Sequence, residues 1–181
     1  LSNIRHLGEL LRASNWKVTV AVAQKGRISE IISIEPGNRC EKNYGFAFDI
    51  GTTTITGQLV DLNKMKVLGT KATYNRQATF GSDVISRIIY AKLEGGLDKL
   101  HNAVVDCVNE IIEDFCREND IDLNDVTCLC VAGNTTMTHL LLRVDPAYIR
   151  QEPYVPTANY FPVLKAADAG AGLHGKAVGD V

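Results

Sequence analysis

The amino-acid sequence predicts an α/β domain with a mixed sheet and flanking helices, preceded by a small α+β segment. Three observations support this fold class. Apolar strand patterns recur three times within residues 44–74, joined by turns so short that the strands must pair antiparallel. Two amphipathic helical patterns follow them. A short strand that is apolar on both faces comes next, as expected of a strand inside a sheet.

The small segment covers residues 1–40. Residues 4–13 show helical spacing of their apolar side chains, whereas residues 16–23 and 28–34 alternate in the manner of strands. These patterns predict a helix followed by a hairpin. A Pro-Gly pair and mixed charge without periodicity in residues 35–43 predict a linker, so the second domain should begin at Tyr44.

The second domain runs from residue 44 to residue 181, and we expect it to be incomplete at its C-terminus. Its elements are predicted in this order: strands at 44–50, 53–62 and 66–74, helices at 82–93 and 97–118, a strand at 126–132 and a helix at 137–142. One stripe of the first helix is apolar and should face the core; it comprises Val84, Ile85, Ile88, Ile89 and Leu93. Beyond residue 150 no element is predicted.

Composition excludes several classes of protein. A formal net charge of −2 argues against nucleic-acid binding, which favours a basic surface. No run approaches the roughly 20 apolar residues that cross a bilayer, and no secretory leader is visible. The first residue is Leu1, so we expect a piece of a longer cytoplasmic protein. The cysteines match no metal-binding spacing and are expected to be small buried thiols; they are Cys40, Cys107, Cys116, Cys128 and Cys130.

The stretch FAFDIGTTT at residues 46–54 carries the strongest chemical signal. A carboxylate in a buried strand is costly to ionise unless a cation meets it, and Asp49 at the end of a strand could meet hydrated Mg²⁺. We therefore interpret Asp49 as a metal ligand and a catalytic residue at a turn that holds nucleotide phosphates. The phosphate donors would be Gly51, Thr52, Thr53 and Thr54. The alternative is an ordinary hairpin of good strand formers.

A second turn with similar composition follows the predicted strand at 126–132. Asn134 is a suitable N-cap for the next helix, and ligands in open α/β sheets gather beyond the carboxyl ends of strands. Gly133, Asn134 and Thr135 are therefore candidate phosphate-binding residues. Plain helix capping would use the same residues, and that alternative stays open.

Four other polar residues could contribute to the site. Asp83 is a candidate catalytic residue near the metal, although an acid in the first turn of a helix commonly serves the helix dipole. His139 lies among apolar residues and should be a packing residue. Arg76 and Arg87 could reach an acid or a phosphate, but the sequence does not fix their direction.

The strand–turn–strand YGFAFDIGTTTITGQLVDL resembles the first phosphate motif of the acetate and sugar kinase, heat-shock chaperone and actin (ASKHA) superfamily. FGSDVISRI at 80–88 and VAGNTTMTHLLLRVDP at 131–146, in this order and spacing, resemble the ATPase domain of the reductive activators of corrinoid proteins. The segment before Tyr44 resembles the short domain that leads into that ATPase. The resemblance implies the first lobe of an actin-like, sugar-kinase-like (ribonuclease H-like) ATPase fold.

The same resemblance implies an activity. Such activators use ATP and Mg²⁺ to return an inactive Co(II) corrinoid protein to its Co(I) state. The electron passes through a [2Fe–2S] domain, which would lie outside this chain because no cluster-binding cysteine set is present. The partner would be a corrinoid protein or a corrinoid-dependent methyltransferase, and a second copy of the chain is a further candidate partner. Asp49 would arrange the Mg²⁺, residues 51–54 would hold phosphates, and residues 133–135 would border the same cleft.

Two alternatives remain. A small-molecule kinase of the same superfamily would need a general base, for which Asp83 is the placed candidate. In an interaction module without a nucleotide role, both turns would only connect secondary-structure elements. Because the second lobe of the expected cleft is missing, we also expect this chain alone to bind ATP weakly or not at all and to be inactive.

Overall fold

The computed structural model describes residues 2–25, 27–172 and 178–180. It contains a two-stranded sheet near the N-terminus and a six-stranded mixed sheet formed by the rest of the chain. Residues 173–177 and 181, where no element is predicted, lie outside the described residues.

The N-terminal unit is a helix followed by a hairpin, as predicted. Helix α1 (Ser2–Ala13) precedes strands β1 (Val18–Lys25) and β2 (Ile28–Pro36), which pair antiparallel. Strand β1 begins two residues later than predicted because Asn15 and Trp16 adopt positive φ values of 50° and 62°. Trp16 N donates to Leu11 O, and this left-handed turn ends the helix before the strand can start.

The predicted strands of the mixed sheet follow one another along the chain in the expected order. Its strands are β3 (Tyr44–Ile50), β4 (Thr54–Asp61), β5 (Lys66–Tyr74), β6 (Val126–Gly133), β7 (Leu164–Lys165) and β8 (Val178–Asp180). Their order across the sheet is β5-β4-β3-β6-β8-β7. Strands β3, β4 and β5 form the predicted antiparallel meander, and β6 lies inside the sheet, parallel to β3. Strands β7 and β8 were not predicted.

The hydrophobic core lies between one face of this sheet and helix α3 (Gly96–Asn119). Alternate residues of β3 face it, so Phe46, Phe48 and Ile50 are buried. Gly57 on β4 allows the helix to come close, since a Cβ there would lie 2.6 Å from Phe48 Cε1 and 2.7 Å from Ile111 Cγ2. Helix α3 is therefore the main cover of the sheet beneath the meander.

Two shorter helices, α2 (Val84–Ala91) and α4 (Thr135–Leu141), complete this layer. The predicted stripe of α2 is wrong in part: Ile85 and Ile89 are 50% and 48% exposed, and Leu93 is also exposed. Val84 and Ile88 pack inward, and Arg87 is buried beside Ile88. Apolar residues lie on both sides of this helix, so periodicity alone cannot select the buried side. Among the residues that the structure describes, no helix combines the length and hydrophobicity needed to span a bilayer.

The opposite face of the sheet is more open. Strand β6 was predicted to be buried on both faces, but Cys130 and Ala132 on that face are exposed, in register with Ala47 and Asp49 of β3. The prediction of buried thiols is correspondingly wrong for Cys130, and it is also wrong for Cys40 in the linker. None of the five cysteines, all of which lie within the described residues, forms a disulfide.

Candidate phosphate-binding site

The fold brings the two Gly/Thr turns together. Strands β3 and β6 are parallel neighbours, and their last residues, Ile50 and Gly133, pair in register. The chain therefore leaves both strands at the same edge of the sheet. Asn134 Nδ2 lies 3.5 Å from Thr52 Oγ1, so the second turn touches the first. The structure thus places the candidate residues of the two turns side by side.

Asp49 is exposed, which corrects the prediction of a buried carboxylate. Its strand neighbours Phe48 and Ile50 face the core, and the pleat directs Asp49 to the open face, where Thr56 pairs with it across β4. No group among the described residues forms a hydrogen bond or an ion pair with its carboxylate. The carboxylate is therefore free to bind a ligand, although burial does not force it to do so.

The β3–β4 turn requires glycine at its first position. Gly51 N donates to Thr54 O at 2.9 Å and closes the turn. A Cβ at Gly51 would lie 2.7 Å from that same Thr54 oxygen, a distance that carbon and oxygen do not tolerate. The geometry of the turn alone therefore explains why this position is glycine.

Three successive carbonyl groups of this turn accept hydrogen bonds from residues far along the chain. Asn75 Nδ2 donates to Gly51 O at 2.9 Å, and Asn75 N donates to Thr53 O at 2.8 Å. Between them, Arg87 Nη2 donates to Thr52 O at 2.7 Å. The N–H groups of Thr52 and Thr53 have no acceptor among the described residues. Free successive amides of this kind form anion-binding concavities.

The guanidinium of Arg87 is buried, with 0% of the residue exposed. Its Nε donates to Gly81 O at 2.9 Å, and its Nη1 contacts Gln77 Oε1 at 3.2 Å and Met137 Sδ at 3.5 Å. Burial lowers the pKa of this guanidinium, and the charge of Asp83 partly opposes that shift. No carboxylate within the described part of the chain forms an ion pair with it.

Sequence reasoning missed Asn75 and Gln77 altogether and left Arg87 without a direction. Gln77 is fully buried and donates from Nε2 to Leu100 O of α3 at 2.8 Å. Asn75 is also buried and caps the 3₁₀ turn Arg76–Thr79. The only signal was an arginine within an otherwise apolar helical pattern. The polar residues of the preceding turn resemble those of any loop.

The second turn has the predicted cap. Asn134 Oδ1 accepts from Met137 N at 3.0 Å, and α4 begins at Thr135, two residues earlier than predicted. Gly133, Asn134 and Thr135 are exposed. A cavity of about 240 Å³ lies between this turn and residues 158–161. The turn therefore has open space beside it.

Asp83 is the N-cap of α2. Its Oδ1 accepts from Ser86 N at 2.8 Å, and the Ser86 hydroxyl accepts from Asp83 N, which completes a capping box. The hydrogen bond from Ser86 N lowers the pKa of this exposed carboxyl. Its predicted role near the metal stays a prediction. Asp83 lies one helical turn before Arg87, whose guanidinium reaches the β3–β4 turn.

The remaining polar candidates pair elsewhere. His139 is fully buried, with Nδ1 at 2.7 Å from Thr135 O and its ring edge-on to Phe161, so the packing interpretation is confirmed. Arg76 pairs with Glu110 at 2.6 Å. Within the described ranges, no three His, Cys, Asp or Glu side chains come together as a metal site. A single exposed carboxylate beside free amides nevertheless fits Mg²⁺, which usually binds through one or two carboxylates, water and phosphate.

Comparison with known proteins identifies the family. Residues 1–41 match the family model of the RACo linker region, and residues 44–179 match that of the RACo middle region. The chain belongs to the RACo family. The two matches adjoin at the stretch where the N-terminal unit meets the first strand of the mixed sheet.

Relatives of this RACo chain are named for corrinoid chemistry. It is 35% identical over 170 residues to the corrinoid activation enzyme RamQ of Eubacterium limosum, which covers 92% of this chain and 28% of that protein. It is 32% identical over 91 residues to the [Co(II) methylated amine-specific corrinoid protein] reductase of Methanosarcina barkeri, covering 50% of this chain and 16% of that protein. The chain spans less than a third of the length of either relative.

A solved structure confirms the fold of the RACo chain. The structure of a reductive activator for corrinoid, iron-sulfur protein superposes with a TM-score of 0.89 and 43% identity, over 99% of this chain and 29% of that one. The predicted α/β mixed-sheet class and the resemblance to corrinoid-protein activators are therefore both confirmed.

Proposed function

We propose that this chain is the first, phosphate-binding lobe of an ATP-dependent activator that returns a Co(II) corrinoid protein to the Co(I) state. The in-register pairing of Ile50 with Gly133 carries this proposal, because it sets two Gly/Thr turns at one edge of the sheet. The β3–β4 stretch also carries the amides of Thr52 and Thr53 and the carboxylate of Asp49, none of which has a partner among the described residues.

Different residues at this edge of the sheet would contact different parts of a bound nucleotide. The amides of Thr52 and Thr53 donate to phosphate oxygens, and Gly133 to Thr135 border the same space. Asp49 would hold Mg²⁺ through its carboxylate. When bound, the ion neutralises phosphate charge and orients the polyphosphate. Asp83 caps α2, the helix that carries Arg87, and a catalytic role for it is a separate prediction.

The proposed activity belongs to the whole protein rather than to residues 1–181. A second lobe would close the nucleotide cleft, so this chain alone should bind ATP weakly and be inactive. One electron would reach cobalt through a [2Fe–2S] domain outside this chain, in a cytoplasmic complex with the corrinoid partner. Nucleotide can favour the reducing arrangement only through its differential affinity for two arrangements of the domains.

No observation favours the kinase alternative. A phosphoryl acceptor needs a general base with a free lone pair. Asp83, the placed candidate, accepts hydrogen bonds from Ser86 N and from the Ser82 hydroxyl, and its pKa is lowered by the first of these. A carboxylate held in this way is a weak base, and helix capping accounts for its position.

The test is Asp49→Asn in the full-length protein. Because the carboxylate pairs with no residue that the structure describes, the variant should keep the wild-type melting temperature. Its ATPase rate, and its nucleotide-dependent formation of Co(I) followed by absorbance with reductant and corrinoid partner, should fall by roughly tenfold or more. The matched control is Asp106→Asn, an exposed acid on α3 that should change nothing. Full ATPase and Co(I) formation in the Asp49→Asn protein would contradict the proposal.

A further inference from the structure

The shape of the β3–β4 turn is determined by groups behind it. A trans peptide holds its C=O and the following N–H on opposite sides. Hydrogen bonds from Asn75 to Gly51 O and from Arg87 to Thr52 O therefore turn the N–H groups of Thr52 and Thr53 away from both donors. These are the two amides that have no acceptor in the described part of the chain. The two interior donors thus create the outward-facing amide pair.

The charge of Arg87 calls for an explanation of its own. Burying a cation without a counter-charge is costly, and a buried apolar side chain would fill the same space without that cost. Within the described residues, the guanidinium contacts only neutral acceptors: the carbonyls of Thr52 and Gly81, the Gln77 amide oxygen and the Met137 sulfur. An anion on the amides of the turn would lie on the other side of one peptide unit from this charge.

We infer that Arg87 is a positioning residue for polyphosphate. It orients the Thr52–Thr53 peptide for anion binding. The bound polyphosphate adds a counter-charge to the weaker influence of Asp83, since no carboxylate among the described residues forms an ion pair with the guanidinium. This inference rests on the proposed function and names a residue that acts through the turn rather than by touching the ligand.

Lysine could not replace this arginine fully. The planar guanidinium reaches Thr52, Gly81 and Gln77 at once from three different nitrogen atoms, whereas an ammonium is a single point of charge on a flexible stem. Arg87→Lys would keep the positive charge and lose the fixed orientation. Arg87→Met would lose both at a similar side-chain length.

The test measures dissociation constants of the full-length protein for Mg-ATP, tripolyphosphate and adenosine by calorimetry. Arg87→Met should weaken Mg-ATP and tripolyphosphate alike by roughly tenfold to a hundredfold, and it should leave adenosine unchanged. Arg87→Lys should fall between Arg87→Met and wild type. The matched control is Arg76→Met, since Arg76 is exposed and pairs with Glu110; it should bind all three ligands as wild type does.

Wild-type tripolyphosphate affinity in the Arg87 variants would overturn the inference. So would an equal loss of adenosine affinity, which would reduce Arg87 to general support of the fold. If Arg87→Met does not fold, Arg87→Lys and Asn75→Ala are judged by the same ratio of tripolyphosphate to adenosine affinity. Failure of the proposed function looks different: the wild-type protein itself would bind neither Mg-ATP nor tripolyphosphate.

Discussion

Replacing Gly51 by alanine tests whether the turn has the tight geometry described above. The new Cβ would lie 2.7 Å from Thr54 O, so the two atoms must separate by about 0.7 Å to reach ordinary contact. The obstacle is main chain and cannot rotate away. The same oxygen accepts the Gly51 N–H at 2.9 Å, so the separation also breaks the bond that closes the turn.

These two effects give the expected magnitude. Overpacking typically costs about 1–3 kcal/mol, and a lost hydrogen bond costs about 1 kcal/mol. Gly51→Ala should therefore lower the free energy of unfolding by roughly 2–4 kcal/mol. The matched control is Gly133→Ala in the neighbouring turn, where the nearest atom, Ile50 O, is 3.3 Å away and only a small adjustment is needed. Its cost should stay below about 1 kcal/mol.

The measurement is urea denaturation followed by far-UV circular dichroism. Fluorescence would not report on the turn, because the single tryptophan, Trp16, belongs to the N-terminal unit and is 68% exposed. The reasoning is refuted if Gly51→Ala is as stable as wild type, or if it is destabilised no more than Gly133→Ala.

Two further predictions concern carboxyl groups with shifted pKa values. Asp83→Ala should lower the urea midpoint of unfolding at neutral pH, because the N-cap of α2 is lost. Asp83→Asn still caps a helix, so it should restore most of that midpoint and retain ATPase activity in the full-length protein. An inactive Asp83→Asn protein would instead assign Asp83 to catalysis. The hydrogen bond from Ser86 N lowers the pKa of Asp83 below 3.8. The stabilising contribution of the ionised carboxylate is therefore present above that pH and is lost as pH falls through the folded-state pKa. The stability of Asp83→Asn should accordingly be less sensitive to acid than that of wild type. Asp125 is buried just before β6, and its Oδ1 accepts from Arg39 Nη1 at 2.8 Å. Burial raises the pKa of Asp125 above 3.8 although the charge of Arg39 lowers it. The stabilising contribution of the protonated carboxyl is therefore present below that pH and is lost as pH rises through the raised pKa. Asp125→Asn should therefore gain stability relative to wild type as urea midpoints are compared from about pH 4 to pH 7, and a gap that stays constant or shrinks would contradict this sign.

The strands and the major helices could be predicted because each has one regular period. The meander, the interior position of β6 and the cap at Asn134 all follow from local patterns, whereas the parallel pairing of β6 with β3 was not predicted. Asp49 shows the limit of that reasoning. A strand of mostly apolar residues looks uniformly buried in sequence, but helices cover only one of its faces here, and Asp49 lies on the other.

The support of the turn could not be predicted from sequence. Arg87 looks like a polar interruption of an apolar helix, and its burial depends on carbonyl groups that the sequence does not display. Thr52 is 35 residues away from it along the chain. Asn75 and Gln77 pose the same difficulty, because their partners Gly51 and Leu100 come from separate elements. Only the assembled fold shows what these side chains contact.

The three carbonyl contacts mean that the nine letters FAFDIGTTT do not by themselves encode the conformation of their turn. Grafting residues 46–62 onto a foreign hairpin would transfer the glycine and the threonines but leave behind Asn75 and Arg87, which orient the peptides. A sequence search for this turn would separate true matches from chance matches better if it also required an asparagine and an arginine at the corresponding downstream distances.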